Sequence, residues 1–304
     1  MVVLEKQQSV TPPLTATRDV RLVWFAYCVL ALLLLAVVDL QLWAGIVMLG
    51  AAALAAVPRL RPSPGRAVDT TDLLVVAALY VAVVAAFRLA FTVFTTDNVL
   101  GLFLSFATGM LVGVVGPVVY QVWVRGRDLR SLGVGLHQWR TTLAMGLVLA
   151  AVQFAVTMVG YSLPDAEQWV PLLGMSLVVG LFEAVFFRGF VQGRLEASFG
   201  PVPAVVGAAV LYAVYHVGYG MALGEMWFLL ALGVVYAVAY RLTTNILILW
   251  PLLTPLGAFF NNLDNADIEL PWVSLLGFAD VAALMLAALW LAHRRIRRRD
   301  AQPH

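Results

Sequence analysis

The chain has 304 residues, of which 62% are hydrophobic and only 12% are charged, and its formal net charge is +2. An ordinary soluble domain is about 25% charged, so this composition excludes a water-soluble globular fold. The one cysteine, Cys28, lies in an apolar run, which excludes a disulfide framework and a cysteine-based zinc site.

Apolar runs of about 17 to 25 residues, each long enough to cross a hydrocarbon core of about 30 Å as a helix, recur along the chain. They predict membrane-spanning helices at 22–38, 40–57, 73–94, 99–124, 141–161, 169–189, 203–223, 226–240, 246–263 and 272–292. The first two are short and share only Asp39 as a break, so a re-entrant hairpin there would reduce the count from ten to eight or nine. The predicted fold class is an all-α polytopic integral membrane protein.

Basic residues fall on one side of these spans if there are ten of them. They are Arg18, Arg21, Arg59, Arg61, Arg66, Arg125, Arg127, Arg130, Arg140, Arg194, Arg241 and the tail from His293 to Arg299. Positive residues are enriched in cytoplasmic loops, so both termini are predicted to be cytoplasmic. We expect the protein to lie in a bacterial plasma membrane.

The basic segment 125–140 is the one internal linker that the sequence suggests. It follows a cytoplasmic N-terminal tail, 1–21, and a leading four-span block, 22–124. After it come a core at 141–265 and a final span with a basic cytoplasmic tail, 266–304.

Five charged or histidine side chains lie inside predicted spans, where a charge at the bilayer centre costs about 2.5 to 3.5 kcal/mol. Two of them, Arg88 and Asp280, are expected to be structural, by snorkelling, pairing with another span or lining a polar crevice. Glu183 and Arg188 lie in the sixth span, and His216 lies in the seventh, four residues after Tyr212. Residues five apart in an α-helix do not share a face, so Arg188 is expected to point away from Glu183. Glu183 and His216 lie at similar depths on antiparallel spans, so these two side chains are expected to meet near the midplane.

Polar residues also interrupt the ninth span, where Thr254, Asn261 and Asn262 lie in an otherwise apolar run. Pro251 and Pro255 leave backbone carbonyls free there, and such broken helices are tolerated where they line a cavity. The asparagine pair alone is typical of a helix end. Together with the polar residues of the sixth and seventh spans, it predicts a third wall of one site.

The run from Glu183 to Gly189 resembles the first motif of the CPBP intramembrane proteases, which include CAAX prenyl-protein endopeptidases and bacteriocin-processing enzymes. That motif is usually written E-E-x-x-x-R, with F-R-G at its end. The run from Tyr212 to His216 is similar to the second motif, F-x-x-x-H, with tyrosine in place of phenylalanine.

The chain departs from the family pattern at two places. Ala184 replaces the second glutamate of the first motif, and the ninth span contains no histidine, although the third motif is H-x-x-x-N or H-x-x-x-D. The histidine position falls on Gly257 if Asn261 is the matching asparagine, which follows the family pattern more closely, or on Ala258 if Asn262 is.

The resemblance implies an intramembrane endopeptidase with a CPBP-type helical core, acting on a membrane-associated protein or peptide within the lipid bilayer. It implies Glu183 as general base, His216 as the residue that orients water or shuttles a proton, and Asn261 as a donor to the oxyanion, with Arg188, Tyr212 and Asn262 in support. The family is often labelled as metalloprotease, but we expect no cofactor and no catalytic metal, because H-E-x-x-H is missing and only Glu183 and His216 are strong ligands. We expect no nucleic-acid partner, and the sequence predicts no oligomeric state.

Two other functions compete with the protease. A non-catalytic relative acting as a membrane scaffold or bacteriocin-immunity protein is favoured by Ala184 and by the missing histidine. A small-solute transporter would use the polar spans as a pathway, but the sequence has no repeated halves of the kind that many transporters show.

Overall fold

The computed structural model of the protein describes residues 18–60, 68–94, 99–159, 163, 165–265 and 270–301. Within these ranges the chain forms helices and turns and no strand, so the prediction of an all-α fold is confirmed. The α-helices are α1 (Arg18–Leu34), α2 (Leu40–Ala56), α3 (Thr70–Val93), α4 (Val99–Val119), α5 (Trp139–Thr157), α6 (Ala166–Glu183), α7 (Gly193–Phe199), α8 (Pro201–Val214), α9 (Met226–Thr243), α10 (Leu253–Asn265) and α11 (Ser274–Asp300). A π-helix, Ala184–Gln192, joins α6 to α7, and a 3₁₀ helix, Tyr215–Tyr219, extends α8.

Seven segments of the described chain are long and apolar enough to cross a membrane. They are Thr70–Val93, Phe103–Val124, Trp139–Thr157, Trp169–Phe199, Pro201–Tyr219, Met226–Thr243 and Ser274–Asp300. The other three predicted spans correspond to shorter helices, namely α1 and α2 with 17 residues each and α10 with 13. The polytopic helical membrane protein predicted from the sequence is confirmed by this architecture.

The centre of the bundle is formed by α9 and by the continuous helix that runs from α6 through the π-helix into α7. All residues of α9 from Ala231 to Thr243 are buried, and this helix packs against α8, α2 and α1. The α6 helix packs against α10 and α11, while α3 packs against α4 and the 3₁₀ helix Tyr215–Tyr219. The leading helices therefore contact the later ones, and the division into blocks stays a prediction.

The segment predicted as a linker, 125–140, is attached to the later helices by backbone hydrogen bonds. The amide of Ile246 donates to the Gly133 carbonyl at 3.0 Å. The Asn245 side chain donates to the carbonyls of Gly135 and His137 at 2.9 and 3.0 Å. These bonds fix the position of the linker beside the end of α9.

Charged side chains at the start of α3 and at the ends of α4, α7, α9 and α11 form ion pairs at one end of the bundle. Asp72 accepts hydrogen bonds from Arg127 at 2.8 Å, from Arg194 at 3.3 Å and from Tyr120 at 2.6 Å. Further ion pairs that join described segments at this end are Arg125–Asp69, Arg125–Asp72, Arg127–Asp69, Arg241–Glu196 and Arg299–Asp128. Five of the arginines that the sequence assigned to one side of the membrane thus lie together, and the assignment of that side to the cytoplasm stays a prediction. They are Arg125, Arg127, Arg194, Arg241 and Arg299.

Candidate active site

Glu183 is the last residue of α6 and lies at the point where the helix changes its hydrogen-bonding pattern. Its side chain is only 5% exposed. From Ala184 to Gln192 the chain is a π-helix, and every residue in it is buried. In a π-helix the backbone hydrogen bonds join residues five apart rather than four, and such segments are frequent at functional sites.

The π-helix changes the predicted relation between Glu183 and Arg188. The expectation that Arg188 points away assumed α-helical spacing, and it is wrong for this segment because hydrogen bonds between residues five apart turn Arg188 back toward the side of Glu183. Both side chains contact Tyr212: its hydroxyl lies 3.5 Å from Glu183 Oε2, and the Arg188 Cζ lies 5.0 Å from its ring centroid.

Two phenols hold the two carboxylate oxygens of Glu183. The Tyr215 hydroxyl donates to Oε1 at 2.5 Å, and the Tyr212 hydroxyl donates to Oε2 at 3.5 Å. Tyr212 lies in the last turn of α8 and Tyr215 is the first residue of the 3₁₀ helix, and side chains three residues apart on a helix are neighbours. Both hydroxyls therefore reach the same carboxylate, and this fixes its orientation.

His216 packs beside these tyrosines. Its ring centroid lies 4.1 Å from that of Tyr215 and 5.3 Å from that of Tyr212. Its Nδ1 lies 3.0 Å from the Tyr212 carbonyl oxygen. Among the residues that the structure describes, no hydrogen bond joins His216 to Glu183; the two share Tyr212 and Tyr215 as neighbours.

The ninth predicted span meets the sixth close to Glu183. The Thr254 hydroxyl donates to the Gly180 carbonyl at 3.4 Å, and Phe259 packs on Trp169 with ring centroids 6.3 Å apart. Since the first contact is near the end of α6 and the second near its start, α10 runs antiparallel to α6. The backbone of position 261 thus lies further along α10, in the direction away from Glu183. The side chains of Asn261 and Asn262 fall outside the described part of the structure.

A second polar group joins three helices behind Tyr212. The Tyr236 hydroxyl donates to Gln153 Oε1 at 3.0 Å, and Gln153 Nε2 donates to the Leu253 carbonyl at 3.1 Å. The backbone of Gly257 lies so close to the Tyr236 hydroxyl that a Cβ atom at 257 would overlap with it. The family position for a histidine, if it is 257, is thus filled by the Tyr236 hydroxyl.

Tyr215, Tyr236 and Phe87 belong to this region and were not predicted from the sequence. The ring of Phe87 packs on those of Tyr219 and Phe182 with centroids 4.6 and 5.7 Å apart, so the leading helix α3 forms one wall. A signal for Tyr215 existed, because it follows Tyr212 by three residues and precedes His216 by one. Phe87 and Tyr236 carry no local pattern that distinguishes them from other buried aromatic residues.

The donor atoms around Glu183 do not fit a catalytic zinc. Such a site usually has three protein ligands from histidine, cysteine or carboxylate, and here the neighbours of the carboxylate are phenols. Across the part of the chain that the structure describes, no group of three or more His, Cys, Asp or Glu side chains could hold a metal ion. No step of the chemistry below is assigned to a metal.

Comparison with known proteins finds a family model that matches the middle of the chain. Residues 165–252 match the family model described as Type II CAAX prenyl endopeptidase Rce1-like. No curated protein and no solved structure matches the chain. The match includes Glu183, Arg188, Tyr212 and His216 and ends before Asn261. It confirms the resemblance to the CPBP proteases, and at the family level it supports a CAAX-type intramembrane protease with a membrane-associated peptide substrate.

Proposed function

We propose, on the premise that residues 165–252 belong to the Rce1-like CAAX endopeptidases of the CPBP family, that the protein hydrolyses a peptide bond of a membrane-associated peptide or protein. The observation that carries the proposal is the orientation of Glu183. This carboxylate is buried and held by Tyr215 and Tyr212. A carboxylate can accept about four hydrogen bonds, so lone pairs remain for a water molecule.

Glu183 acts as general base in the proposed reaction. It removes a proton from water while the oxygen of that water forms a bond to the carbonyl carbon of the peptide. The π electron pair of the carbonyl moves to its oxygen and gives a tetrahedral oxyanion. When the oxyanion collapses, the bond from carbon to nitrogen breaks, and the proton on Glu183 passes to the leaving amine.

His216 orients the attacking water. Its Nδ1 lies 3.0 Å from the carbonyl oxygen of Tyr212, which can only accept, so Nδ1 carries the proton. In that tautomer Nε2 is an acceptor, and it can receive the second hydrogen of the water that Glu183 deprotonates. Asn261 enters the proposal as an oxyanion donor through the family motif alone.

A cleavage assay in proteoliposomes tests this function. The substrate is an internally quenched peptide with a farnesylated C-terminal CAAX sequence, and the unprenylated peptide is run beside it. Wild type is expected to cleave the farnesylated peptide, and Glu183→Gln is expected to lower kcat by about 10² to 10⁴, the usual contribution of a general base. Glu167→Gln, an exposed acid on α6, is the matched control and keeps full activity.

One result would contradict the proposed roles of these residues: Glu183→Gln or His216→Ala accumulates normally in the membrane and cleaves at the wild-type rate. Cleavage of the unprenylated peptide at the same rate would leave the protease activity in place and show that the prenyl group is not needed for recognition.

A non-catalytic membrane scaffold or immunity protein is the second candidate function. It is favoured by Gly257, where the Tyr236 hydroxyl fills the space of a family histidine, and by Ala184, which is fully buried without a carboxylate. This candidate predicts that wild type cleaves neither peptide. It also predicts that Glu183→Gln restores the phenotype of a deletion strain as well as wild type does.

A further inference from the structure

Arg188 is a buried cation whose terminal nitrogens have no hydrogen-bond partner among the described residues. Its side chain is 2% exposed, and in the described part of the chain neither Nη1 nor Nη2 bonds any acceptor. A charge that is removed from water without a partner is costly, so buried arginines normally pair with carboxylates. An unpaired guanidinium at this depth therefore requires an explanation.

The other two buried arginines of the later helices are paired. Arg194 lies 3.3 Å from Asp72, and Arg241 forms an ion pair with Glu196. Arg188 differs because the residue four before it, which could supply a carboxylate, is Ala184. Its guanidinium instead lies over the ring of Tyr212, with Cζ 5.0 Å from the centroid, and a cation over an aromatic face leaves its N–H donors unused.

The neighbours of Arg188 are those of Glu183. The ring of Tyr212 contacts the guanidinium through its face, and its hydroxyl lies 3.5 Å from Glu183 Oε2. The groups that interact with the Arg188 charge through space are Tyr212, the Glu183 carboxylate, Tyr236 and Tyr215. The Glu183 carboxylate thus lies at the hydroxyl of Tyr212 and the Arg188 guanidinium at its ring face, inside one buried aromatic cluster.

We infer that Arg188 stabilises the oxyanion that forms when water, deprotonated by Glu183, adds to the substrate carbonyl. The inference rests on the proposed function. The negatively charged carbonyl oxygen is an acceptor of the kind that Nη1 and Nη2 lack in the free protein, and an interaction made only in the transition state accelerates the reaction. Arginine keeps its proton throughout, so no proton is transferred at this residue.

Binding of a transition-state mimic tests the inference without turnover. The probe is the farnesylated peptide with an anionic phosphonate in place of the scissile amide, and the reference ligand is its neutral hydroxyethylene isostere. Wild type is expected to bind the phosphonate more tightly. In Arg188→Met this preference is expected to fall by about 10², the usual effect of removing one oxyanion donor. Arg188→Lys, which keeps the charge, is expected to retain most of it.

A pair of substitutions at 184 separates charge from size. Ala184→Glu gives Arg188 a carboxylate partner, whereas Ala184→Gln adds the same volume without a charge. If the reaction needs the free cation, kcat and the affinity for the phosphonate are much lower in Ala184→Glu than in Ala184→Gln. The KM for the peptide is similar in the two variants.

The outcomes separate this inference from the proposed function. Glu183→Gln is expected to lose cleavage and to keep the preference for the phosphonate, because the base is not the oxyanion donor. Three results would each overturn the role of Arg188. Wild type could show no preference for the phosphonate over the neutral isostere, or Arg188→Met could keep the wild-type preference. The third is that Ala184→Glu and Ala184→Gln have equal kcat and equal phosphonate affinity. Cleavage by Glu183→Gln at the wild-type rate would instead overturn the proposed base.

Discussion

Glu183 and Arg188 contact the same phenol, Tyr212, the carboxylate at its hydroxyl and the guanidinium at its ring face. They do so because the chain between them is π-helical rather than α-helical. The five-residue spacing of the glutamate and arginine in the first motif equals the hydrogen-bond spacing of a π-helix. The spacing in the motif thus matches the π-helical backbone, which places these two charged residues on the same side of the helix.

The hydroxyl of Tyr215 is expected to matter more than that of Tyr212. Tyr215 donates to Glu183 Oε1 at 2.5 Å, while Tyr212 donates to Oε2 at 3.5 Å. A hydrogen bond to a charged group contributes about 1.5 to 3 kcal/mol. Tyr215→Phe is expected to lower kcat by about tenfold or more, since about 1.4 kcal/mol is a factor of ten in rate. Steady-state cleavage of the quenched peptide measures this.

Tyr212→Phe is the matched control for Tyr215→Phe, because it also removes one hydroxyl from the same carboxylate and produces the residue of the family's second motif. We expect it to change kcat by less than Tyr215→Phe does. An equal or larger effect of Tyr212→Phe would show that the shorter bond does not determine the orientation of Glu183.

Gly189, at the end of the first motif, is expected to tolerate no side chain. A Cβ atom there would overlap with the Leu132 carbonyl oxygen of the linker, and backbone cannot move aside as a side chain can. Overpacking a core costs about 1 to 3 kcal/mol and occasionally more, so Gly189→Ala is expected to lower the thermal unfolding temperature in detergent.

Gly193 provides the comparison for Gly189, since it faces the same linker one turn later. A Cβ atom there would come within 3.8 Å of the Ser131 carbonyl oxygen, which is an ordinary contact. Alanine favours a helix over glycine by up to about 1 kcal/mol, so Gly193→Ala is expected to leave stability unchanged or to raise it. Equal unfolding temperatures for the two alanine variants would refute the close packing of the linker at Gly189.

The hydropathy of the chain was sufficient to predict its fold class but not its active-site geometry. Each of the ten apolar segments contains a helix, because burial in lipid selects helices wherever an apolar run is long enough. The π-helix was missed because its hydrogen-bond register depends on packing around residues such as Gly189 and not on apolar periodicity. Tyr215 was missed because its contact with Glu183 depends on how the end of α8 packs against the end of α6, which apolar periodicity does not predict.

The contact between Gly257 and Tyr236 is testable by a double-mutant cycle. Gly257→Ala brings a Cβ atom into the Tyr236 hydroxyl and to 3.1 Å from Gln153 Nε2. In wild type this substitution is expected to be destabilising. In Tyr236→Phe the nearest ring carbon is 3.5 Å away, so the added cost is expected to be much smaller. The coupling free energy should be about 0.5 to 3 kcal/mol, and additive effects would contradict the contact.

Asp72 is expected to be the most sensitive residue of the charged cluster at the basic end. It is 2% exposed and accepts from Arg127, Arg194 and Tyr120, so Asp72→Asn leaves the buried guanidinium of Arg194 without a counter-charge. Breaking a buried pair costs about 3 to 5 kcal/mol. Loss of accumulation in the membrane and a lower unfolding temperature are the expected results.

Asp69→Asn is the control for Asp72→Asn, because Asp69 is 35% exposed although it too pairs with Arg125. Partly exposed pairs contribute at most about 1 kcal/mol, and asparagine is as good a helix N-cap as aspartate at this position. If Asp69→Asn is as destabilising as Asp72→Asn, burial is not the reason for the sensitivity of Asp72.

Cysteine labelling tests the proposed orientation, which rests on the positive-inside rule. In a Cys28→Ala background, Arg298→Cys lies at the exposed basic end of α11, while Glu225→Cys lies at the exposed start of α9, at the opposite end of the bundle. A membrane-impermeant maleimide is expected to label Glu225→Cys in intact cells and Arg298→Cys only in inside-out vesicles. The two ends cannot lie on one side, because Glu225 immediately precedes α9 whereas Arg241 lies in its last turn. Arg241 pairs with Glu196, two residues from the Arg194 that pairs with Asp72 at the basic end. The reverse labelling pattern would therefore overturn the cytoplasmic assignment without affecting the fold, and labelling of both positions in intact cells would contradict the bundle itself.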